Sequence, residues 1–265
     1  MPLNVDFEVY LNESVADQPL EPDVVLARLL EMADEAGVDV SVVMPANQSA
    51  RTGETYLHPD NDRVARTIRG NPHFLGCATI NPTFGAPAVE ELERLVREQG
   101  FRGVKLMAAL HHYDVDDPIV DPVLAKARDL GLVASIHSGR GPVHPDRIGR
   151  LADRFPELPI IVDHMGYPDA TEEAIGVAEA HPNVYLGTTV LRFFPDAPAS
   201  AYPKAVARAV SRVGPERVVF GSNAPEYAHS PLWTRQAIER LGLGRDAEEM
   251  IFSTSLARLY RLDRS

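Results

Sequence analysis

Two histidines stand at matching places in the chain. His137 follows the apolar run LVASI and precedes Ser138 and Gly139, and His164 follows IIVD and precedes Met165 and Gly166. With Glu8 of NVDFEVYL they form a set of two imidazoles and one carboxylate. These are borderline ligands suited to Zn²⁺, Fe²⁺ or Mn²⁺, and a His₂Glu set leaves a coordination position open for water. The same residues would also serve as hydrogen-bonded polar groups with no metal, because buried polar atoms need partners whatever their role. Lys105, in GVKLM, alternates with Val104 and Leu106 and so points to an interior. There it could bind a carboxylate, act in acid/base chemistry, bridge metals once carbamylated, or pair with Glu8 or Asp6. His111 and His112 follow on the next loop, and Arg140, His144, Arg192, Glu226 and His229 also come after apolar runs, where loop side chains can meet a substrate. Asp163 neighbours His164, so strict strand alternation turns it the other way and makes it structural. Cys77, within FLGCATI, reads as a small core residue.

Residues so far apart converge only if the chain repeats one supersecondary unit. Eight β-branched runs do repeat: 4–11, 38–45, 73–82, 101–108, 132–139, 159–166, 183–188 and 216–225. Between them lie amphipathic segments at 22–36, 90–98, 122–130, 145–155, 171–181, 201–213, 230–241 and 245–260. Pro22 opens the first of these and Gly37 follows it, while Gly100, Gly131 and Gly214 follow three others, as helix punctuation requires. Strand and helix in alternation predict a parallel sheet, and eight such units predict a (β/α)₈ TIM barrel, an α/β fold whose strand ends converge at one mouth. Asp6, Glu8, Tyr10, Asn81, Lys105, His137, His164, Thr188 and Asn223 then face one another. The last segment, with Met250, Ile251, Leu256, Leu259 and Tyr260, is expected to pack on the outside of the barrel wall. The first run lacks the G-x-G-x-x-G of a dinucleotide fold, so NAD and FAD are not expected.

Composition agrees with one domain over 1–265. The 265 residues are 45% hydrophobic, enough for a sizeable core, and no linker or charge block interrupts them. A single cysteine cannot form an internal disulfide, and no apolar run reaches the length of a membrane span, so a cytoplasmic protein is expected. With 26 basic against 38 acidic side chains and a net charge of −12, the surface offers nucleic acid little to hold.

GFRGVKLMA, the ordered pair LVASIHSG and IIVDHMG, NVYLGT followed by RVVFGSNAP, and the closing IFSTSLARLYRL together resemble the amidohydrolase-related branch of the amidohydrolase superfamily. That branch includes aminocarboxymuconate-semialdehyde decarboxylase-like and 2-pyrone-dicarboxylate lactonase-like enzymes, and the resemblance covers nearly the whole chain. It implies a distorted barrel with one divalent metal, often zinc, held by a His-x-His on strand one, histidines ending strands five and six, and an aspartate ending strand eight. His137 and His164 take the strand-five and strand-six places. Glu8 and Tyr10 stand where His-x-His would be, and Asn223 stands for the aspartate. Glutamate keeps a ligand, tyrosine is a poor one unless deprotonated, and an asparagine amide cannot act as a general base at neutral pH.

The resemblance therefore implies a metal-dependent hydrolase acting on a small organic acid, ester, lactone or amide. A non-oxidative decarboxylase of a small aromatic or unsaturated acid is the alternative, and a metal-free or inactive homologue is the third. The implied metal ligands are Glu8, His137 and His164, and the implied catalytic residues are His137, His164, Lys105 and Asn223. Substrate contacts are expected from Tyr10, His111, His112, Arg140, Arg192 and Glu226. A homodimer is implied as well. An anionic substrate would be repelled by the acidic surface, so Lys105, Arg140 or Arg192 should attract it locally.

Overall fold

The computed structural model describes residues 3–11, 14–15, 18–19, 21–46, 57–189, 201–225 and 230–262. All eight runs become parallel strands of one sheet: β1 (Val5–Leu11), β2 (Val40–Pro45), β3 (Phe74–Thr79), β4 (Gly103–Leu106), β5 (Val133–Ile136), β6 (Ile160–Val162), β7 (Val184–Gly187) and β8 (Val218–Val219). The ladders run in chain order from β1 to β8. Between β8 and β1 the ladder is not continuous. The seam is crossed by Phe7 N–H to Phe220 O (3.1 Å), Asn223 N–H to Glu8 O (3.0 Å) and Tyr10 N–H to Ala224 O (2.7 Å), with an isolated bridge between Val9 and Ala224. The architecture is thus the expected distorted TIM barrel. A short antiparallel pair, Ser14–Val15 with Gln18–Pro19, was not anticipated.

Helices fill the connections: α1 (Pro22–Ala36), α2 (Asn61–Ile68), α3 (Ala86–Gln99), α4 (Asp121–Asp129), α5 (Pro145–Arg154), α6 (Thr171–Ala180), α7 (Ala201–Val213) and α8 (Pro231–Glu239). Gly37 and Gly100 end α1 and α3 in left-handed conformations. Helix α2 is absent from the sequence reading; its eight residues carry only Val64, Ala65 and Ile68 as buried apolar positions, too few to register a period. Helix α3 starts at Ala86, earlier than Glu90, with Pro87 in its first turn.

The last segment departs from expectation. It breaks into α9 (Arg245–Glu249), a π-helical turn (Met250–Thr254) and α10 (Ser255–Tyr260). Ile251 and Phe252 join the apolar layer between strands and helices, as an outer-wall helix would. Leu256 and Tyr260 instead join the interior cluster with Val5, Val40, Val133, Ile161 and Val219. Those residues lie at or near the starts of their strands, so α10 closes the barrel floor rather than lying on its wall. The apolar side chains are the ones expected to be buried, but which surface they meet is a tertiary decision. Among the described residues no helix is long and apolar enough to cross a membrane.

Candidate functional site

The site is built on an irregularity in β1. The register with β2 shifts between Asp6 and Val9, so one residue is inserted relative to the partner strand. Below the bulge Val5 and Phe7 belong to the interior cluster; above it Tyr10 does, while Val9 and Leu11 pack into the outer layer. The bulge therefore moves the inward phase from odd to even numbers and brings Glu8 and Tyr10 into the barrel. Asp6 holds it in place, its Oδ1 accepting from Glu8 N–H (3.2 Å) and Ser222 N–H (3.0 Å).

Lys105 lies at the centre, fully buried, with Val104 and Leu106 turned outwards. Its ammonium donates to Glu8 Oε1 at 2.6 Å and to Asp163 Oδ2. Tyr10 O–H donates to the same Glu8 oxygen at 2.8 Å, and the Ser135 hydroxyl donates to Asp163 Oδ1 at 2.8 Å. The pairing with Glu8 fulfils one of the roles open to Lys105. Burial disfavours the ammonium, but Asp163 and Glu8 together outweigh it and hold Lys105 charged. Burial likewise opposes the Glu8 carboxylate, yet Lys105, His164 and its hydrogen bonds hold Glu8 below its ordinary range. Asp163 is pushed up by burial and by the Glu8 charge, because one ammonium cannot fully compensate two neighbouring carboxylates.

Asp163 corrects the sequence reading. Alternation would turn it away from His164, but β6 ends at Val162, and the backbone passes through left-handed conformations at His164 (φ 61°) and Met165 (φ 48°). A strand period has no force beyond the strand's end, and both side chains enter the site. The His164 ring is fixed through Thr189, whose hydroxyl lies 2.7 Å from Nδ1 and accepts from the His164 backbone N–H at 3.0 Å. His164 Nε2 meets His137 Nδ1 at 3.1 Å. Burial, then the charges of His164 and Lys105, lower the His137 imidazole to about 3 and keep it neutral near pH 7.

Glu8, Asp163 and His164 present ligand atoms that all lie within 4.8 Å of one another. Glu8 Oε2 is buried without a hydrogen-bond partner among the described residues, and two carboxylates with an imidazole make a donor set for a divalent ion. The residues therefore fit a metal. Thr189 on the far nitrogen of His164 is the kind of outer contact that orients a ligating ring.

The other candidates divide. Asn223 arrives at the mouth on the seam, 2% exposed, with φ 63° and its Nδ2 unpartnered among the described residues. A buried amide left so costs about 1–3 kcal/mol. His111 is buried on the loop after β4, with its ring 6.4 Å from that of Tyr113, whereas the adjacent His112 is exposed with φ 60°. Arg140 is exposed and paired with Asp169 at 2.9 Å. Lys105 and Arg140 are thus both engaged by carboxylates, which removes two of the three cations expected to attract a substrate anion. Arg192, Glu226 and His229 lie outside the described residues. Besides Asp163, the sequence reading missed Ser135 and the role of Asp6 within strands and Thr189 just after β7, polar residues that no spacing rule separates from ordinary core hydroxyls and caps.

Residues 14–262 match the family model described as Amidohydrolase. Among curated proteins, the chain is 29% identical over 205 residues to an L-fucono-1,5-lactonase from Burkholderia ambifaria, over 68% of this chain and 67% of that protein. It is 28% identical over 133 residues to a 2-amino-3-carboxymuconate-6-semialdehyde decarboxylase from Dictyostelium discoideum, over 47% of this chain and only 34% of that protein's length. In fold it is similar to a dihydroxybenzoic acid decarboxylase from Polaromonas sp. JS666, solved with bound manganese and the inhibitor 2-nitroresorcinol. The TM-score is 0.69 at 18% identity, covering 100% of this chain and 98% of that one.

Proposed function

Because the chain belongs to the amidohydrolase family, we propose that it is a non-oxidative decarboxylase of a small aromatic or unsaturated organic acid. The observation that carries this reading is Asn223 at the end of the eighth strand segment, buried and without a protein partner for Nδ2. Hydrolysis needs a base to take a proton from water, and a carboxamide has no such basicity near neutral pH. Decarboxylation needs no water nucleophile. It needs an oriented carboxylate and a proton for the carbon that CO₂ leaves.

Glu8, Asp163 and His164 are the residues that would hold a divalent ion. Their carboxylate oxygens favour manganese over the zinc implied by resemblance. When bound, the ion supplies Lewis-acid polarisation of substrate oxygens. Lys105 compensates the charge of Glu8 and Asp163, and Tyr10 keeps Glu8 oriented. His137, neutral and next to His164, would pass a proton taken from solvent to the carbon that CO₂ leaves. A lactonase is the second reading, favoured by the longer of the two curated matches.

The test is an assay of the full chain supplied with Mn²⁺ in D₂O, using 2,6-dihydroxybenzoate, 5-carboxyvanillate and L-fucono-1,5-lactone. The expected outcome is CO₂ release with one deuteron on the product carbon, falling about 100-fold or more in His137→Ala. Metal content measured by mass spectrometry should be lost in His164→Ala and Glu8→Gln. Lactone hydrolysis without CO₂ release would replace the first reading by the second.

A further inference from the structure

A carboxylate entering this barrel needs hydrogen-bond donors, and the net charge of −12 opposes it at long range. Lys105 is engaged by Glu8 and Asp163, and Arg140 by Asp169. What stays open is an amide. Asn223 Nδ2 is buried and has no partner among the described residues, while the Asn223 backbone N–H is committed to Glu8 O at 3.0 Å. The next residue is tied as well, Ala224 N–H to Ser222 Oγ at 3.0 Å and Ala224 O to Tyr10 N–H at 2.7 Å. The chain on both sides of the amide is thus held by the fold before any ligand arrives. Buried donors are nearly always paired. A buried donor carried on a held backbone and left without a protein partner among the described residues at the barrel mouth is placed to meet a ligand.

We propose that Asn223 Nδ2 is the recognition donor for an anionic oxygen of the substrate, so that this chain selects an acid over the corresponding neutral amide at that position. The inference rests on reading the site as one for small organic acids, and not on decarboxylation. The two residue types are opposite here. Asparagine donates from Nδ2, and a bond from it to an anionic oxygen is charge-assisted; an aspartate could only accept and would repel a carboxylate.

The backbone makes the test clean. At φ 63° asparagine, aspartate and glycine are the residues tolerated best, so Asn223→Asp and Asn223→Gly change the side chain with little strain in the chain. Calorimetric titration of the full chain with 2-hydroxybenzoate, 2,6-dihydroxybenzoate and 2-hydroxybenzamide reads the preference directly, without turnover. We expect wild type to bind an acid more tightly than the amide. Asn223→Asp should weaken the acids by about 10–100-fold while binding the amide as well as before or better, and Asn223→Gly should weaken the acids by about 10-fold. An inverted preference is not produced by a merely structural role. Equal acid affinity in all three proteins, equal loss of acids and amide in Asn223→Asp, or no acid binding by wild type would overturn the proposal. The expected inversion without CO₂ release from any acid would remove the decarboxylase reading and leave this one standing.

Discussion

Asp6 joins a carboxylate to the geometry of the site without touching the other charged groups. Burial pushes it up from 3.8 to about 7. Between those values the folded chain binds a proton that the unfolded chain does not, so stability falls as pH rises through that window, by about 1.4 kcal/mol per pH unit. Glu8 is shifted the other way, and its contribution is lost only below about pH 4.5, so it does not change between pH 5 and pH 7. Asp163 is raised too and adds the same sign, so the informative quantity is a difference. Urea titrations at pH 5 and pH 7 should show wild type less stable at the higher pH, with the slope reduced in Asp6→Asn; an unchanged slope would reject the assignment. At this scale the sequence was a partial guide. His137, His164, Glu8 and Lys105 were legible because a polar residue ending an apolar run must find a partner. Asp163 departs from the expectation because it lies one residue past the end of β6, where strand alternation no longer holds.

The bulge in β1 depends on two glycines far away in sequence. A Cβ at Gly221 would lie 2.4 Å from the Phe7 ring, and one at Gly187 would lie 2.5 Å from it. The ring sits against bare backbone on β7 and after β8, just below the residue that turns Glu8 inwards. Gly221→Ala should therefore cost about 1–3 kcal/mol through overpacking. Combining it with Phe7→Leu, which shortens the obstructing side chain, should cost less than the sum of the two single changes in a urea-denaturation cycle. Strict additivity would show that the two positions do not meet. The eight strands themselves were readable from β-branched runs of the right length. The bulge was not, because nothing in VDFEVYL signals an inserted residue until the partner strand fixes the register.

Closure of the barrel floor is a property of the whole molecule. Leu256 is fully buried among residues from the beginnings of several strands, so Leu256→Ala should cost about 2–5 kcal/mol. Tyr260 is 2% exposed, and its hydroxyl has no partner among the described residues. Tyr260→Phe should accordingly be neutral or stabilising in the same denaturation assay, since it removes an unsatisfied group and keeps the ring. A large loss would mean that the hydroxyl is bonded. The order of the strands and of every helix but α2, the barrel and most of the polar residues at its mouth were determined by the sequence alone, because hydrophobic periodicity and helix punctuation act within a few residues. Four features were decided only by the tertiary structure: the inward turn of Glu8, the entry of Asp163, the engagement of Lys105 by two carboxylates, and the use of the last helix as a floor. Each depends on which distant segments share one interior, and local patterns do not encode that.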